Sequence, residues 1–249
     1  MIYAEYATEI VTGAKYIGAG LAMGFGAMGA GLGTFRSATA AVIGMARQPS
    51  QDGTILRTML ITQAVTESAS IFALVVAVLL LFVPLPAITE QNFWFLASAM
   101  LGTGLSMGLG AIGSGVGMGM CGSKAVEGVS RHPSAQGDIQ FVHLLGSAVA
   151  GNPAVFALVV ALLIFFQDFS TWPGVAKCMA VLGAGLCTGF GAIGPGIGCG
   201  FPGAEACLAT AKKPRLRLTM VRTMLIAQAV SQSTCVYCLV ISLLLLFTL

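Results

Sequence analysis

The chain has 249 residues, of which 57% are hydrophobic and only 8% charged, with a formal net charge of +3. Its mean hydropathy is +0.92, and its apolar runs are long enough to cross a hydrocarbon core of about 30 Å, so the composition is that of an integral membrane protein. The small positive balance gives no reason to expect a nucleic-acid partner, and it is the placement of the charges that carries information.

The first predicted element is a glycine-dense apolar helix that follows Glu5 and Glu9 and runs toward Arg47. Lacking a positively charged leader, this stretch does not read as a cleaved signal peptide. Interior glycines cost about 1 kcal/mol each in an isolated helix, but in a membrane small residues let helix backbones approach closely. Such a helix suits a crowded inner layer. A polar connection follows, and then a second apolar helix, MLITQAVTESASIFALVVAVLLLF over 59–82. Its Leu, Val, Ile and Phe content suits an outer, lipid-facing layer.

The same pair of elements then recurs twice. Offsets of 84 and 165 residues superpose the first hairpin on the second and third without a gap. Seven glycine columns coincide: Gly18/Gly102/Gly183, Gly20/Gly104/Gly185, Gly24/Gly108/Gly189, Gly26/Gly110/Gly191, Gly29/Gly113/Gly194, Gly31/Gly115/Gly196 and Gly33/Gly117/Gly198. The loop prolines Pro49, Pro133 and Pro214 align as well. The expectation is an all-α membrane protein of six transmembrane helices in three tandem hairpins, at 10–83, 94–166 and 174–249. Ten of the twelve Lys and Arg lie in or near the three polar connections, against Lys15 and Lys177 toward the opposite end. By the positive-inside rule the loops 47–53, 131–138 and 212–217 are then cytoplasmic, and the termini, with linkers 83–94 and 167–174, lie on the other side.

Glu67 is the one carboxylate in the middle of a long apolar stretch, and its counterparts in the repeats are Gly151 and Gln232. An ionisable group at that depth points to an ion or proton pathway more than to packing. Gln63, Thr66, Glu67 and Ser70 fall at i, i+3, i+4 and i+7, a polar stripe with Ser68 beside it. The stripe becomes Ser147, Ala150, Gly151 and Ala154 in the second hairpin, and Gln228, Ser231, Gln232 and Cys235 in the third. Neither copy can exchange a proton or neutralise a cation, so these hairpins read as spacers.

The run GAMGAGLGTFRSATAAVIGMARQPSQ, followed by ILRTMLITQAVTESASIFALVVAVLLLF, resembles the proteolipid, or c-type rotor protein, of rotary ATP synthases, and the likeness covers nearly the whole chain three times. It carries the loop motif Arg47-Gln48-Pro49, altered to Arg131-His132-Pro133 and Lys212-Lys213-Pro214. The resemblance implies a non-catalytic rotor component whose copies close into a c-ring, alone or with other c-type proteins. It also implies a stator a subunit and central stalk subunits as partners, the stalk meeting Arg47, Gln48, Pro49, Arg131, Lys212 and Lys213. No cofactor is implied, only a transported H+ or Na+, with Glu67 the metal ligand if the ion is Na+. Family members that bind sodium share it among an inner-helix Gln, the Glu, and a hydroxyl and a backbone carbonyl of the adjacent hairpin. Here Thr34 stands at the Gln position, with Met118 and Cys199 as its counterparts. The hydroxyl position holds Ser68, Asn152 or Ser233, and the carbonyl position Val65, Val149 or Val230. Sodium wants several hard oxygens, whereas a proton needs only a carboxylate in an apolar setting. Two departures from the family pattern are the triplication and the single carboxylate.

Other signals carry less. Gly24-Phe25-Gly26-Ala27-Met28-Gly29 matches a dinucleotide fingerprint, but inside an apolar helix with no preceding strand. Cys235 and Cys238 form a CxxC at lipid depth and read as packing thiols, and His132 and His143 have no second metal-type ligand nearby. Pro195 and Pro202 are expected to bend the third inner helix. A stand-alone six-helix transporter or pore is the alternative function, but inverted repeats would be expected of it, and these hairpins are parallel copies. A purely structural scaffold has no use for Glu67.

Overall fold

A computed structural model describes residues 2–89, 92–168 and 174–247, with side chains from Glu5 onward. Parts of the two expected linkers, at 90–91 and 169–173, and the last two residues of the third hairpin lie outside it. Six long helices make up the fold: α1 Ile2–Arg47, α2 Asp52–Phe82, α3 Phe93–Arg131, α4 Gln136–Phe165, α5 Gly174–Lys212 and α6 Arg217–Phe247. Each is long and apolar enough to span a membrane. At 1.5 Å per residue, the 46 residues of α1 extend well beyond a bilayer core. The helix begins near the N-terminus, ahead of the expected start at residue 10, since no breaker precedes the first apolar turn and Glu5 favours the positive end of the helix dipole.

Within each hairpin the turn is set by a proline. Gln48, His132 and Lys213 each precede one and take φ/ψ of −136/76°, −136/73° and −139/74°, because the proline ring clashes with a helical residue before it. A single 3-10 turn, Pro49–Gln51, Pro133–Ala135 or Pro214–Leu216, then leads into the outer helix. At the other end of the molecule Lys15 donates to Val83 O at 3.3 Å, and Lys177 to Leu246 O. Both lysines thus satisfy the terminal carbonyls of outer helices.

The inner helices α1, α3 and α5 lie side by side, with α3 in the middle; α2 and α4 back the two seams between them, and α6 packs on α5 and α4. The middle position shows in burial: 78% of an 18-residue apolar stretch of α3 is buried, against 39% in α1 and 50% in α5. Glycine makes the close approach possible. A Cβ on Gly115 would lie 2.6 Å from the Gly29 carbonyl carbon, and one on Gly117 would lie 2.1 Å from Gly196 O. Other glycines face the outer helices: a Cβ on Gly26 or Gly110 would strike Ala73 or Ala157 of the hairpin's own outer helix. α5 remains helical through Pro195 and Pro202.

Candidate ion-carrying site

The seam between the second and third hairpins shows how the position equivalent to Glu67 is used. Gln232 Nε2 donates to Val149 O at 2.5 Å, and Asn152 Nδ2 donates to Gln232 Oε1 at 3.3 Å. Val149 O is available because Pro153, four residues on and inside α4, has no N–H to give it. One turn closer to the loops, the fully buried Gln228 donates to Gly146 O and Cys199 O at 2.9 and 2.8 Å. Side chains of α6 therefore reach back to the preceding outer helix, and Gln228 also joins α6 to its own inner helix.

The seam between the first and second hairpins is stripped of this chemistry. Gly151 has only Met118 Sδ near the place of a Cβ, at 3.4 Å. Met118 Sδ also lies 4.0 Å from Ser68 Oγ, whose hydrogen donates to Val65 O at 2.8 Å. A thioether thus sits between the hydroxyl and carbonyl of one hairpin and the vacant carboxylate position of the next.

By the same register, Glu67 faces away from the second hairpin, toward the open side of the first. It is exposed, and its carboxylate has no hydrogen bond or ion pair among the described residues. The sequence-predicted group divides accordingly. Asn152 and Val149 face Gln232, not Glu67, and Ser68 and Val65 face Met118. Thr66 is fully buried and donates to Thr62 O at 2.8 Å, and its methyl would meet a Cβ placed on Gly33 at 2.5 Å, so its hydroxyl is committed to its own helix. Gln63 is half-buried on the turn before Glu67. Thr34, whose hydroxyl donates to Gly31 O at 3.3 Å, occupies the place that Cys199 takes beside Gln228 in the third hairpin. On the far side of the chain Val230 is exposed and Ser233 half-buried, and Ser233 Oγ donates to Val230 O at 2.8 Å. They repeat the Ser68 and Val65 arrangement with no hairpin packed against it. Pro153 was not legible as part of the site, although its position four residues after Val149 was the available signal. Among the described residues no cluster of His, Cys, Asp and Glu could hold a metal ion, and all seven cysteines are free.

The fold and this placement define a multi-pass membrane protein built from three parallel hairpins, one of which carries a mid-span carboxylate. The sequence profile of the ATP synthase C subunit matches it three times, at residues 17–80, 101–164 and 182–245. The chain is 30% identical over 198 residues to the K subunit of the A-type ATP synthase of Methanocaldococcus jannaschii, a match covering 80% of this chain and 81% of that protein. Single-hairpin relatives match about one third of it. The ATP synthase c subunit of Natranaerobius thermophilus is 48% identical over 73 residues, 29% of this chain and 84% of that protein. The chloroplastic ATP synthase c subunit of Euglena gracilis is 44% identical over 72 residues, 29% of this chain and 89% of that protein. The chain belongs to the ATP synthase C-subunit family, as a non-catalytic component of the membrane rotor ring.

Proposed function

We propose that Glu67 carries H+ or Na+ across the membrane, one ion per chain, and that its site is completed by a second copy of the chain. The supporting observation is the orientation of Gln232: if copies join edge to edge in the register of the internal seams, Glu67 meets Val230 O and Ser233 Oγ of the next copy as Gln232 meets Val149 O and Asn152. Thr34 and Gln63 add oxygens from the first hairpin. Protonated Glu67 has the donor and acceptor pair of a Gln amide, so it fits the same arrangement when neutral, and it loses its proton where the stator a subunit offers a polar path. Ring rotation between two such paths moves the ion and couples it to ATP turnover on the catalytic head. The basic loops carrying Arg47, Gln48, Pro49, Arg131, Lys212 and Lys213 face the cytoplasm and the central stalk, with the termini opposite.

Glu67→Gln tests this reading. The variant is expected to assemble but to lose both ion-coupled ATP turnover and labelling by a carbodiimide that attacks protonated intramembrane carboxyls. Coupling or labelling that persists in Glu67→Gln refutes it.

A further inference from the structure

Inside the chain the inner helices touch along two equivalent seams. A Cβ placed on Gly104, Gly108, Gly115 or Gly119 of α3 would lie between 2.1 and 2.6 Å from an atom of the α1 backbone. On α5, a Cβ at Gly185, Gly189, Gly196 or Gly200 would lie between 2.3 and 2.8 Å from the α3 backbone. The same row on α1 reads Gly20, Gly24, Gly31 and Phe35. Its three glycines have nothing within 4 Å, and Phe35 is 52% exposed. The receiving row on α5 is Gly183, Leu186, Gly194 and Gly198, equivalent to Gly18, Leu21, Gly29 and Gly33. Nothing lies within 4 Å of a Cβ at Gly194, and only a Leu245 methyl, at 3.8 Å, near one at Gly183. One at Gly198 would meet Ser231 Oγ of the chain's own outer helix at 2.3 Å, as one at Gly33 meets Thr66, with no second inner helix against it. Two open faces of one chain therefore repeat the two sides of its own seams in the same register, so a second copy fits each as one hairpin fits the next.

Three of the four levels match the internal seams glycine for glycine. The fourth does not, since Phe35 stands where Gly119 and Gly200 stand. A Cβ at Gly119 would already lie 2.2 Å from Gly33 Cα, and one at Gly200 2.6 Å from Gly117 Cα, so a seam of that spacing has no room for a benzyl group. At the same height α5 differs from its counterparts as well. Pro195 and Pro202 flank Gly198, where α1 has Ala30 and Ser37 and α3 has Ser114 and Cys121. These prolines withhold the helical N–H from Gly191 O and Gly198 O, which leaves α5 easier to bend at the point the phenyl ring would reach.

We infer that Phe35 of one copy seats against Gly198 of the next, between Pro195 and Pro202, and wedges the seam between copies open beside Glu67. The height follows from Gly33, two residues before Phe35, which packs on Thr66, the residue before Glu67. The wedge rests on the edge-to-edge assembly proposed above. It makes the junctions of a ring unequal, with two narrow seams inside each chain and one wide seam that holds the ion carrier.

Cryo-electron microscopy of the intact complex tests it, in the wild type and in Phe35→Gly. At the level of Phe35 the α5–α1 separation between copies is expected to exceed the α1–α3 and α3–α5 separations by about 1–2 Å, and in Phe35→Gly to fall to their value. A closed ring with three equal separations in the wild type overturns the wedge while leaving the assembly intact, as does a Phe35→Gly ring with the seam unchanged. If single-hairpin proteins lie between copies, so that Phe35 faces no α5, the wedge is overturned too. A complex in which copies form no ring removes the assembly itself, and the wedge with it.

Discussion

Gln232 donates its amide N–H to the carbonyl of Val149 at 2.5 Å, a carbonyl released from the α4 ladder by Pro153. In lipid an unsatisfied amide costs several kcal/mol, so this pair shows how a neutral group at the carboxylate position is kept inside the ring: the preceding outer helix supplies a bare carbonyl and a donor. The third hairpin holds permanently a counterpart of the arrangement proposed for Glu67, with Thr234 in place of Pro153 on the helix that Glu67 would face. The two hairpins without a carboxylate are silenced differently, one by deletion of the side chain and a methionine in its place, the other by an amide of the same shape.

That geometry separates two residues that occupy equivalent positions in sequence. Ser233→Ala is expected to weaken ion binding at Glu67 by about threefold to tenfold, the worth of one hydrogen bond or ligand. Asn152→Ala is expected to leave it unchanged, because Asn152 serves Gln232. The pH and Na+ dependence of carbodiimide labelling measures both. Equal effects of the two substitutions would remove the assignment of Ser233 to the Glu67 seam.

The transported ion is distinguishable by protection. If Na+ binds, millimolar Na+ at fixed pH slows carbodiimide labelling of Glu67, since the bound cation keeps the carboxylate unprotonated. If H+ is carried, the labelling rate follows pH and is indifferent to Na+. Thr34 bears on the outcome, as its hydroxyl is shorter in reach than a Gln side chain and sodium requires several oxygens. Thr34→Gln is accordingly expected to shift the balance toward Na+ protection.

Gln228 is expected to stabilise the hairpin assembly and not the ion. It is fully buried and joins Gly146 O to Cys199 O. Hydrogen bonds of this kind in membrane bundles are worth about 0.6 kcal/mol on average and up to about 1.7, so Gln228→Ala should lower the thermal stability of the detergent-solubilised ring by a few degrees. Ion affinity at Glu67, on the other side of the chain, should not change. A change in affinity without a change in stability would contradict this role.

The repeat, the six helices and the positions of the loops were legible in sequence because each is written locally. Glycine columns at fixed offsets mark the inner helices, and a proline one residue after Gln48, His132 and Lys213 sets each turn by a clash with its own neighbour. The division of the polar stripe was not legible. Successive residues on a helix point about 100° apart, so Glu67 and Ser68 are adjacent in sequence yet face opposite seams. Which seam each faces depends on the lateral order of the hairpins, a property of packing that the stripe does not encode. The same reason hid the pairing of Asn152 and Val149 with Gln232, and the part played by Pro153, which acts through a carbonyl four residues away.

With Glu67 as the proposed ion carrier, the single carboxylate also sets the gearing of the motor. A ring made only of this chain has a hairpin count divisible by three and one Glu67 per three hairpins, because Gly151 and Gln232 replace the other two carriers. Each turn then moves few ions while the catalytic head processes a fixed number of ATP. An elementary charge gains about 2.3 kcal/mol per 100 mV of membrane potential, so fewer ions per turn leave less energy to make each ATP. Conversely, each ATP hydrolysed drives fewer ions against a steeper gradient, which suits pumping better than synthesis. The ion-to-ATP ratio in reconstituted vesicles, measured beside the ring's stoichiometry, is expected to follow the number of Glu67 residues. A ratio matching the number of hairpins would overturn the low gear, and so would single-hairpin proteins that bring their own carboxylates into the ring.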